Sequence, residues 1–310
     1  MTRVGLLGAG HLGKIHLKLL KNLPGIEISG FYDTDEEVCA KVQAEYGIRH
    51  IATAKELIAA SDAVDIVTPT PFHYEYAATA IRAGKHIFIE KPVTVNSQEA
   101  KKLLGLANEA KVIAHAGHVE RFNPAFLAGR PHITRPVFID CRRIATWNPR
   151  GTDVSVVLDL MVHDIDLVLY LVKSSIKKIS ATGSPVLCPT DDIAEARLEF
   201  DNGCVATLGC SRVATHNIRK MTVFQQGDYI SMDLLEKTAS RSYPGVDNAG
   251  AKFLRHEKLE TRPVNAIEHE LKLFLAAIGK EKNEAVTLEE ACNTMKVADE
   301  IMAMIAKHRV

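Results

Sequence analysis

The chain has 310 residues, of which 46% are hydrophobic, and this length and composition favour two packed domains over one. Lysine plus arginine number 38, as do aspartate plus glutamate, so the formal net charge is zero, which argues against nucleic acid or an anionic membrane surface as a partner. No apolar run approaches the roughly 20 residues of a membrane span, and no long apolar stretch opens the chain, so we expect a cytoplasmic protein.

The six cysteines indicate neither a disulfide framework nor a metal centre. They are scattered without a CxxC pair or a Cys/His spacing typical of metal ligands, and a chain of this length does not need disulfides to fold. We therefore expect reduced, mostly buried thiols and no bound metal.

The N-terminal part, from residue 3 to about 118, alternates short apolar runs with amphipathic segments. The order βαβαβαβαβ predicts an α/β fold with a doubly wound parallel sheet and helices on both faces. The first helix carries apolar residues at helical spacing, which predicts its buried face. These residues are Leu12, Ile15, Leu19 and Leu23.

The pattern changes after about residue 120, where alternating apolar residues predict strands. The segments Asp201-Asn202-Gly203 and Gln226-Gly227-Asp228 are typical of hairpin turns. One long helix, near residues 156–172, interrupts the strands. We predict a C-terminal α+β domain on a largely antiparallel open sheet.

Helical segments near 264–279 and 287–307 close the chain. The predicted domains are 1–120 for nucleotide binding and 121–310 for substrate binding and oligomerisation. The C-terminal helix is a candidate to pack back on the first domain.

A glycine-rich turn follows the first strand directly and opens the first helix. Gly8, Gly10 and Gly13 form GxGxxG, with His11 and Leu12 between the glycines. Glycines permit a tight turn and close backbone approach, and the helix N-terminus offers free N–H groups to a pyrophosphate. The motif alone is weak, but its strand–turn–helix context predicts a Rossmann dinucleotide site.

Asp33 ends the second strand, twenty residues beyond Gly13. An acid at this position accepts hydrogen bonds from the adenosine ribose, and its charge opposes the 2′-phosphate of NADP. We therefore expect NAD in preference to NADP. The alternative is an acid of a surface turn, a description that also fits Asp35 and Glu36.

Two strand exits carry residues whose side chains can take part in binding or catalysis. One contains Thr68, Pro69 and His73, and the other contains Glu90 and Lys91, followed by a proline. Ligands of open parallel sheets bind beyond the carboxyl ends of the strands, so we expect both exits near the nicotinamide, where a lysine can donate or accept a proton. The alternative is that Lys91 extends from the strand end to pair with Glu90.

GxGxxG, Glu-Lys-Pro and a later Asp159/His163 pair on one helix together resemble the glucose-fructose oxidoreductase and inositol dehydrogenase (Gfo/Idh/MocA) family. The resemblance covers nearly the whole chain. It implies a sugar dehydrogenase in which Asp159 and His163 line the substrate site opposite Lys91, with Lys91 or His163 as the base. Judged by its spacing alone, His163 would more often be a buried structural histidine than a catalytic one. Met161 stands where the family often has glycine, which bears on the substrate class.

The segment GHVERFNPAF resembles that of family members acting at C3 of UDP-N-acetylhexosamines, which implies substrate contacts by Glu120, Arg121 and Asn123. Arginine offers a planar fork to a phosphate or hydroxyls, and asparagine both donates and accepts. The alternative is structural, with Asn123 as a helix N-cap before proline and Arg121 paired with Glu120.

We therefore expect an NAD-dependent oxidoreductase acting on a secondary hydroxyl of a sugar, with C3 of a UDP-N-acetylhexosamine as the favoured case. An inositol, polyol or other sugar dehydrogenase is the alternative within the class. A non-catalytic NAD(H)-binding regulator is the alternative of another class. The family resemblance and the few charges of strands such as CVATLGCSRV imply a homodimer or homotetramer formed through the C-terminal sheet.

Overall fold

The N-terminal part of the chain forms a parallel five-stranded sheet in the structure, a computed structural model that describes residues 1–149 and 154–307. Its strands are Thr2–Leu7 (β1), Ile26–Tyr32 (β2), Ala63–Ile66 (β3), His86–Glu90 (β4) and Ala114–Gly117 (β5). All neighbouring pairs are parallel, in the order β2-β1-β3-β4-β5. This confirms the doubly wound fold, whose topological switch point lies between β1 and β3.

Helices connect these strands, as the alternating pattern predicts. They are His11–Leu20 (α1), Glu36–Tyr46 (α2), Ala54–Ala60 (α3), His73–Arg82 (α4) and Ser97–Ala110 (α5). The short helix α3 is an addition to the prediction. Thr53 caps it by accepting a hydrogen bond from the Glu56 N–H, which is a local signal for its start.

The buried face of α1 differs from the predicted one. Its buried residues are Gly13, His16, Leu17 and Leu20. Ile15, which was assigned to the buried stripe, is 36% exposed, whereas the polar His16 is fully buried. The prediction was wrong for Ile15, because a count of apolar residues alone does not include a buried histidine in the helix face. It holds for Leu23, which is buried, and Leu19 packs against the same core cluster.

A second sheet of eight strands follows. Its strands are Pro136–Thr146 (β6), Ile176–Ser184 (β7), Ile193–Phe200 (β8), Val205–Ala214 (β9), Ile218–Gln225 (β10), Asp228–Asp233 (β11), Thr238–Val246 (β12) and Lys252–Leu259 (β13). The order is β13-β12-β11-β10-β6-β9-β8-β7. Every pair is antiparallel except β6 with β9, so the largely antiparallel open sheet is confirmed. Both predicted hairpins join antiparallel neighbours.

Strands β12 and β13 were not predicted. All residues of β13 except the last are exposed, so the strand lacks the alternation of a half-buried sheet. β12 contains Pro244 and Gly245, which normally argue against a strand. This edge of the sheet is built by consecutive antiparallel pairs, β11 with β12 and β12 with β13, whose residues lack the usual strand signals.

The remaining helices are Pro124–Gly129 (α6), Val162–Val172 (α7), Ala266–Ile278 (α8) and Leu288–Lys307 (α9). A π-helical turn, Val157–Met161, leads directly into α7. The predicted helix at 156–172 is therefore a π-turn followed by an α-helix. None of the helices within the described ranges combines the length and apolar character needed to cross a bilayer.

The chain divides into two units. The first comprises Met1–Val119 with Asn265–Met295, and the second comprises Glu120–Val264 with the chain from Lys296 onward. The predicted boundary at 120 adjoins this division, but the chain returns to the first unit through α8 and the beginning of α9. The return is driven by burial, because Leu271 and Phe274 of α8 join a core with Val4 and Phe88.

Candidate active site

A cavity of about 510 Å³ lies in the first unit, at the carboxyl ends of β1, β2 and β3. This is the switch point of the sheet, where ligands of this architecture bind. Seven of the predicted cofactor residues line it: Gly8, Gly10, His11, Leu12, Asp33, Thr68 and Pro69. The fingerprint and one strand exit thus converge on one cavity, as the sequence predicts.

The lining of this cavity does not include the other four predicted cofactor residues, which are Gly13, His73, Glu90 and Lys91. An added Cβ at Gly13 would stand 2.0 Å from the Gly8 carbonyl oxygen, so only glycine allows α1 to pack this closely on the turn. Gly8 itself has φ +92°, a conformation that favours glycine. An added Cβ at Gly10 would contact nothing within 4 Å, which leaves this side of the turn open.

The N-terminus of α1 is suited to an anion. Its N-cap, Gly10, has no side chain to satisfy the free N–H groups, and its first turn contains no acidic residue. The helix α1 therefore supplies no side chain of its own to compensate the positive end of its dipole.

Asp33 lies at the end of β2 and is held by two backbone donors. The Ala9 N–H donates to Oδ2 at 2.7 Å, and the Asp35 N–H donates to Oδ1 at 3.0 Å. Asp35 also lines the cavity, and its side chain caps α2 by accepting from the N–H groups of Glu37 and Val38. The structural role considered for Asp35 is confirmed, and this wall of the cavity carries two carboxylates.

Aromatic residues form another part of the cavity wall, and the sequence analysis did not select them. Tyr76 lies 6.4 Å from both Tyr32 and Phe72 between ring centroids. Phe72 is half exposed, which is unusual for so large an apolar side chain. The sequence signal for this aromatic wall is the spacing of four residues between Phe72 and Tyr76, just beyond the end of a strand.

Thr68 and His73 organise the exit of β3. The Thr68 hydroxyl is buried, and within the described residues it has no hydrogen-bond partner. The ring of His73 lies between two backbone carbonyl oxygens, with Nε2 at 2.6 Å from that of Thr68 and Nδ1 at 2.9 Å from that of Pro92. Burial lowers the pKa of His73, and a neutral imidazole donates to one carbonyl at a time. His73 thus links the exits of β3 and β4.

Glu90 and Lys91 end β4. The Glu90 side chain is buried and accepts a hydrogen bond from the Lys91 backbone N–H at 3.1 Å. Burial opposes ionisation of Glu90, but His16 and Lys91 outweigh it and lower its pKa. Lys91 is half-buried, and its peptide bond to Pro92 is cis. The catalytic and cofactor-binding role of Lys91 stays a prediction at this stage.

Asp159 and His163 belong to the second unit. Asp159 lies in the π-turn and His163 in the first turn of α7, and both are half-buried. π-helical turns occur frequently at functional sites, because they change the direction in which side chains project. The catalytic role of this pair also stays a prediction.

Two buried aspartates of α7 have structural partners in the same unit. Arg143 donates to both oxygens of Asp164, at 3.0 and 2.8 Å, and Arg121 donates to both oxygens of Asp166, each at 2.7 Å. Sequence analysis did not identify these pairs. They fix the helix that carries His163.

The segment around Glu120, Arg121 and Asn123 is buried, with these residues at most 8% exposed. Asn123 caps α6 by accepting from the Ala125 N–H, and its amide donates to Glu120 and to the Leu234 carbonyl. The N-cap alternative is therefore confirmed. Arg121 is engaged by its ion pair to Asp166, and the substrate role of Glu120, Arg121 and Asn123 stays a prediction.

Within the described ranges, His, Cys, Asp and Glu side chains do not form a group of three that could hold a metal ion. Four of the six cysteines are buried, in agreement with the expectation that most of these thiols lie in the core.

Comparison with known proteins gives matches to both units. The family model "Oxidoreductase family, NAD-binding Rossmann fold" matches residues 2–118, and the "GFO/IDH/MocA C-terminal domain" matches residues 127–228. UDP-N-acetylglucosamine 3-dehydrogenase of Acidithiobacillus ferrooxidans is 35% identical over 278 residues, 89% of this chain and 88% of that protein. Inositol 2-dehydrogenase of Rhizobium meliloti is 25% identical, over 99% of this chain and 98% of its own.

A solved structure of the Acidithiobacillus ferrooxidans enzyme superposes with a TM-score of 0.93 at 32% identity and covers 99% of both chains. Similarity at this level extends through both sheets. Together with the glycine, Glu-Lys-Pro and Asp/His motifs, these matches show that the chain belongs to the Gfo/Idh/MocA family of oxidoreductases.

Proposed function

We propose that this oxidoreductase uses NAD to oxidise a secondary hydroxyl of a sugar, and that the hydroxyl is at C3 of a UDP-N-acetylhexosamine. The observation that carries the proposal is the full-length similarity to UDP-N-acetylglucosamine 3-dehydrogenase, at 35% identity and a TM-score of 0.93. The chemistry of the cavity in the first unit supports it.

The residues of that cavity fit a dinucleotide. Gly8 and Gly13 bring the turn close to the uncapped N-terminus of α1, which would hold the pyrophosphate. Asp33 would accept hydrogen bonds from the ribose, and the unpartnered Thr68 hydroxyl offers a further polar contact. The half-exposed Phe72 and the neighbouring Tyr76 provide an apolar surface for a planar base.

The choice of NAD over NADP rests on charge. Asp33 and Asp35 both line the cavity, whereas lysine and arginine do not occur among the described residues that line it. A 2′-phosphate there would meet two carboxylates without a cation to pair with.

When bound, NAD⁺ supplies the acceptor for the hydride that leaves the alcohol carbon. The protein must then remove the hydroxyl proton, and Lys91 and His163 are the two candidates for this base. Asp159, four residues before His163 on the same helical segment, would orient His163 and stabilise the positive charge that it gains with the proton. The buried ion pairs of Asp164 and Asp166 hold the helix that carries His163.

In this proposal, the segment from Glu120 to Asn123 contributes to substrate selection by holding α7 in position. Arg121 is tied to α7 through Asp166, and Glu120 accepts from Arg143 at 2.8 Å. Arg143 in turn binds Asp164. The segment thereby fixes one helix at two points, so it would act on the substrate by positioning that helix.

Assembly through the C-terminal sheet is part of the proposal. Residues of β8 alternate between exposed and buried, so one face of this strand remains on the surface of the unit. Exposed residues there include Ile193, and the ion pair between Arg142 and Glu195 lies on the same surface at 2.9 Å. An exposed sheet face that carries both charged and apolar residues suits a symmetric dimer or tetramer. Multi-angle light scattering that finds a monomer at micromolar concentration would refute this part.

The test of the proposed function is the formation of NADH by the purified protein. NAD⁺ would be combined with UDP-N-acetylglucosamine, myo-inositol or free hexoses, with the wild type and Lys91→Met in parallel. Turnover restricted to the UDP-sugar and lost in Lys91→Met supports the proposal. Turnover with myo-inositol alone supports the polyol alternative, and NAD⁺ binding without any turnover supports a regulator.

A further inference from the structure

A buried group of four ionisable side chains lies within the first unit, outside the cavity. His16 of α1, Asp65 of β3, Glu90 of β4 and Glu270 of α8 are between 0% and 8% exposed. These four face one another from four different elements, and Lys91 is the neighbouring charged residue. None of them lines the cavity, so dinucleotide contacts do not explain the group.

His16 is the centre of this group. Its Nδ1 lies 2.9 Å from Asp65 Oδ2, and its Nε2 lies 3.5 Å from Glu90 Oε1, an ion contact rather than a hydrogen bond. The other oxygen of Glu90 accepts from the Lys91 backbone N–H. A continuous chain of polar contacts therefore leads from Asp65 through His16 and Glu90 to Lys91.

The positions of the four groups favour one arrangement of charge. Burial raises the pKa of Asp65, but the charge and the hydrogen bond of His16 act against this shift. Burial alone would lower the pKa of His16, but Asp65 and then Glu90 raise it well above 6.5. Burial and the neighbouring Glu90 raise the pKa of Glu270 well above 4.5, and neither of its oxygens has a hydrogen-bond partner within the described residues. An imidazolium between two carboxylates, beside a neutral Glu270, leaves one buried negative charge to face Lys91.

Glu90 is also confined from the opposite side. An added Cβ at Gly117 of β5 would stand 2.5 Å from Glu90 Oε1 and 2.8 Å from Glu90 Cδ. The carboxylate thus occupies the space that a side chain on the neighbouring strand would fill. Steric confinement by Gly117 and the charge of His16 act on the same group.

We propose that His16 is a positioning residue for the reaction: its imidazolium joins Asp65 and Glu90 and holds the Glu90 carboxylate against the Lys91 backbone N–H. Without that cation, two buried carboxylates remain, and one of them takes up a proton. Glu90 then loses its fixed orientation, and the backbone at Lys91 loses a charge-assisted hydrogen bond. The effect on turnover rests on the proposed dehydrogenase function, whereas the effect on the Lys91 amide does not.

The experiment compares His16→Gln with the wild type. We expect kcat to fall at least tenfold while the Kd for NADH changes less than threefold, because His16 does not touch the cavity. The Lys91 amide, followed by NMR hydrogen exchange, is expected to exchange at least tenfold faster. The matched control is His115→Gln, a buried histidine on β5 outside this group, for which both quantities stay within twofold at neutral pH.

A second substitution separates charge from structure. His16→Gln with Asp65→Asn leaves Glu90 as the only ionised carboxylate beside a neutral donor, so we expect kcat to recover at least fivefold over His16→Gln. A purely structural role predicts a further loss from a second change in the core. Failure to recover, or unchanged kcat and amide exchange in His16→Gln, overturns the proposal.

Gly117→Ala provides an independent route if the His16 variants do not fold. It displaces the Glu90 carboxylate and keeps every charge, so faster Lys91 amide exchange and a lower kcat are expected. Unchanged amide exchange overturns the proposal. If no sugar is turned over, the proposed function fails, but amide exchange in His16→Gln still decides the role of His16. Amide exchange in Gly117→Ala decides whether the Glu90 carboxylate protects the Lys91 N–H.

Discussion

Replacing Asp33 with Asn tests how the cavity at the end of the parallel sheet selects its dinucleotide. The carboxylate is held by the N–H groups of Ala9, at 2.7 Å, and Asp35, at 3.0 Å, so its position is fixed before any ligand binds. In the proposed complex it accepts hydrogen bonds from the adenosine ribose. Asparagine keeps the shape, removes the charge and replaces one acceptor oxygen with a donor.

The magnitude follows from these contacts. A hydrogen bond to a charged acceptor contributes about 1.5–3 kcal/mol, and about 1.4 kcal/mol corresponds to a tenfold change in Kd. One of the two backbone donors also loses its acceptor. We expect the Kd for NAD⁺ to rise about 10- to 100-fold, and that for NADP⁺ to stay constant or fall, because the charge that repels the 2′-phosphate is gone.

Isothermal titration calorimetry with both dinucleotides measures this change in preference. The control is Glu36→Gln, which removes one negative charge from an exposed neighbour that does not line the cavity. An unchanged ratio of the two Kd values in Asp33→Asn would refute the reasoning, as would an equal change in Glu36→Gln.

Three other variants probe buried features of the two units. Arg121→Ala leaves the carboxylate of its ion pair buried without a cation, so urea unfolding should show a loss of about 3–5 kcal/mol, and a loss below about 1 kcal/mol contradicts this. Gly13→Ala places a Cβ 2.0 Å from a backbone oxygen and should weaken NAD⁺ binding at least tenfold, whereas Gly105→Ala, with open space around it, should bind normally. Burial lowers the pKa of His115 to about 4 from 6.5, so the unfolded chain binds the extra proton and stability falls as the pH is lowered through this window. At about 1.4 kcal/mol per pH unit the loss approaches about 3 kcal/mol, and thermal melts of His115→Gln should lack this part of the decline.

The fold was largely predictable because its signals are local. Alternating strands and amphipathic helices identify the parallel sheet, and turn residues identify two hairpins of the second sheet. Strand β13 was missed because it is almost entirely exposed. The π-turn before α7 was missed because its residues have ordinary helical composition, and their backbone geometry depends on the surrounding structure.

The cavity at the switch point was also predictable, since Gly8, Gly10 and Asp33, which line it, lie at characteristic spacings from one strand and one helix. Partnerships between distant residues were not predictable. Arg121 was expected to pair with its neighbour Glu120 or with a substrate, but its fork binds Asp166, 45 residues away. His16 was overlooked because a polar residue on an apolar helix face is not distinguished by periodicity.

The central claim, oxidation at C3 of a UDP-sugar by NAD, is tested most directly with UDP-N-acetylglucosamine carrying deuterium at C3. The purified protein would be incubated with this substrate and NAD⁺, and the mass of the reduced cofactor measured. We expect the cofactor to gain the deuterium and Lys91→Met to abolish the transfer. A reduced cofactor without deuterium, or no reduction although NAD⁺ is bound, would contradict it.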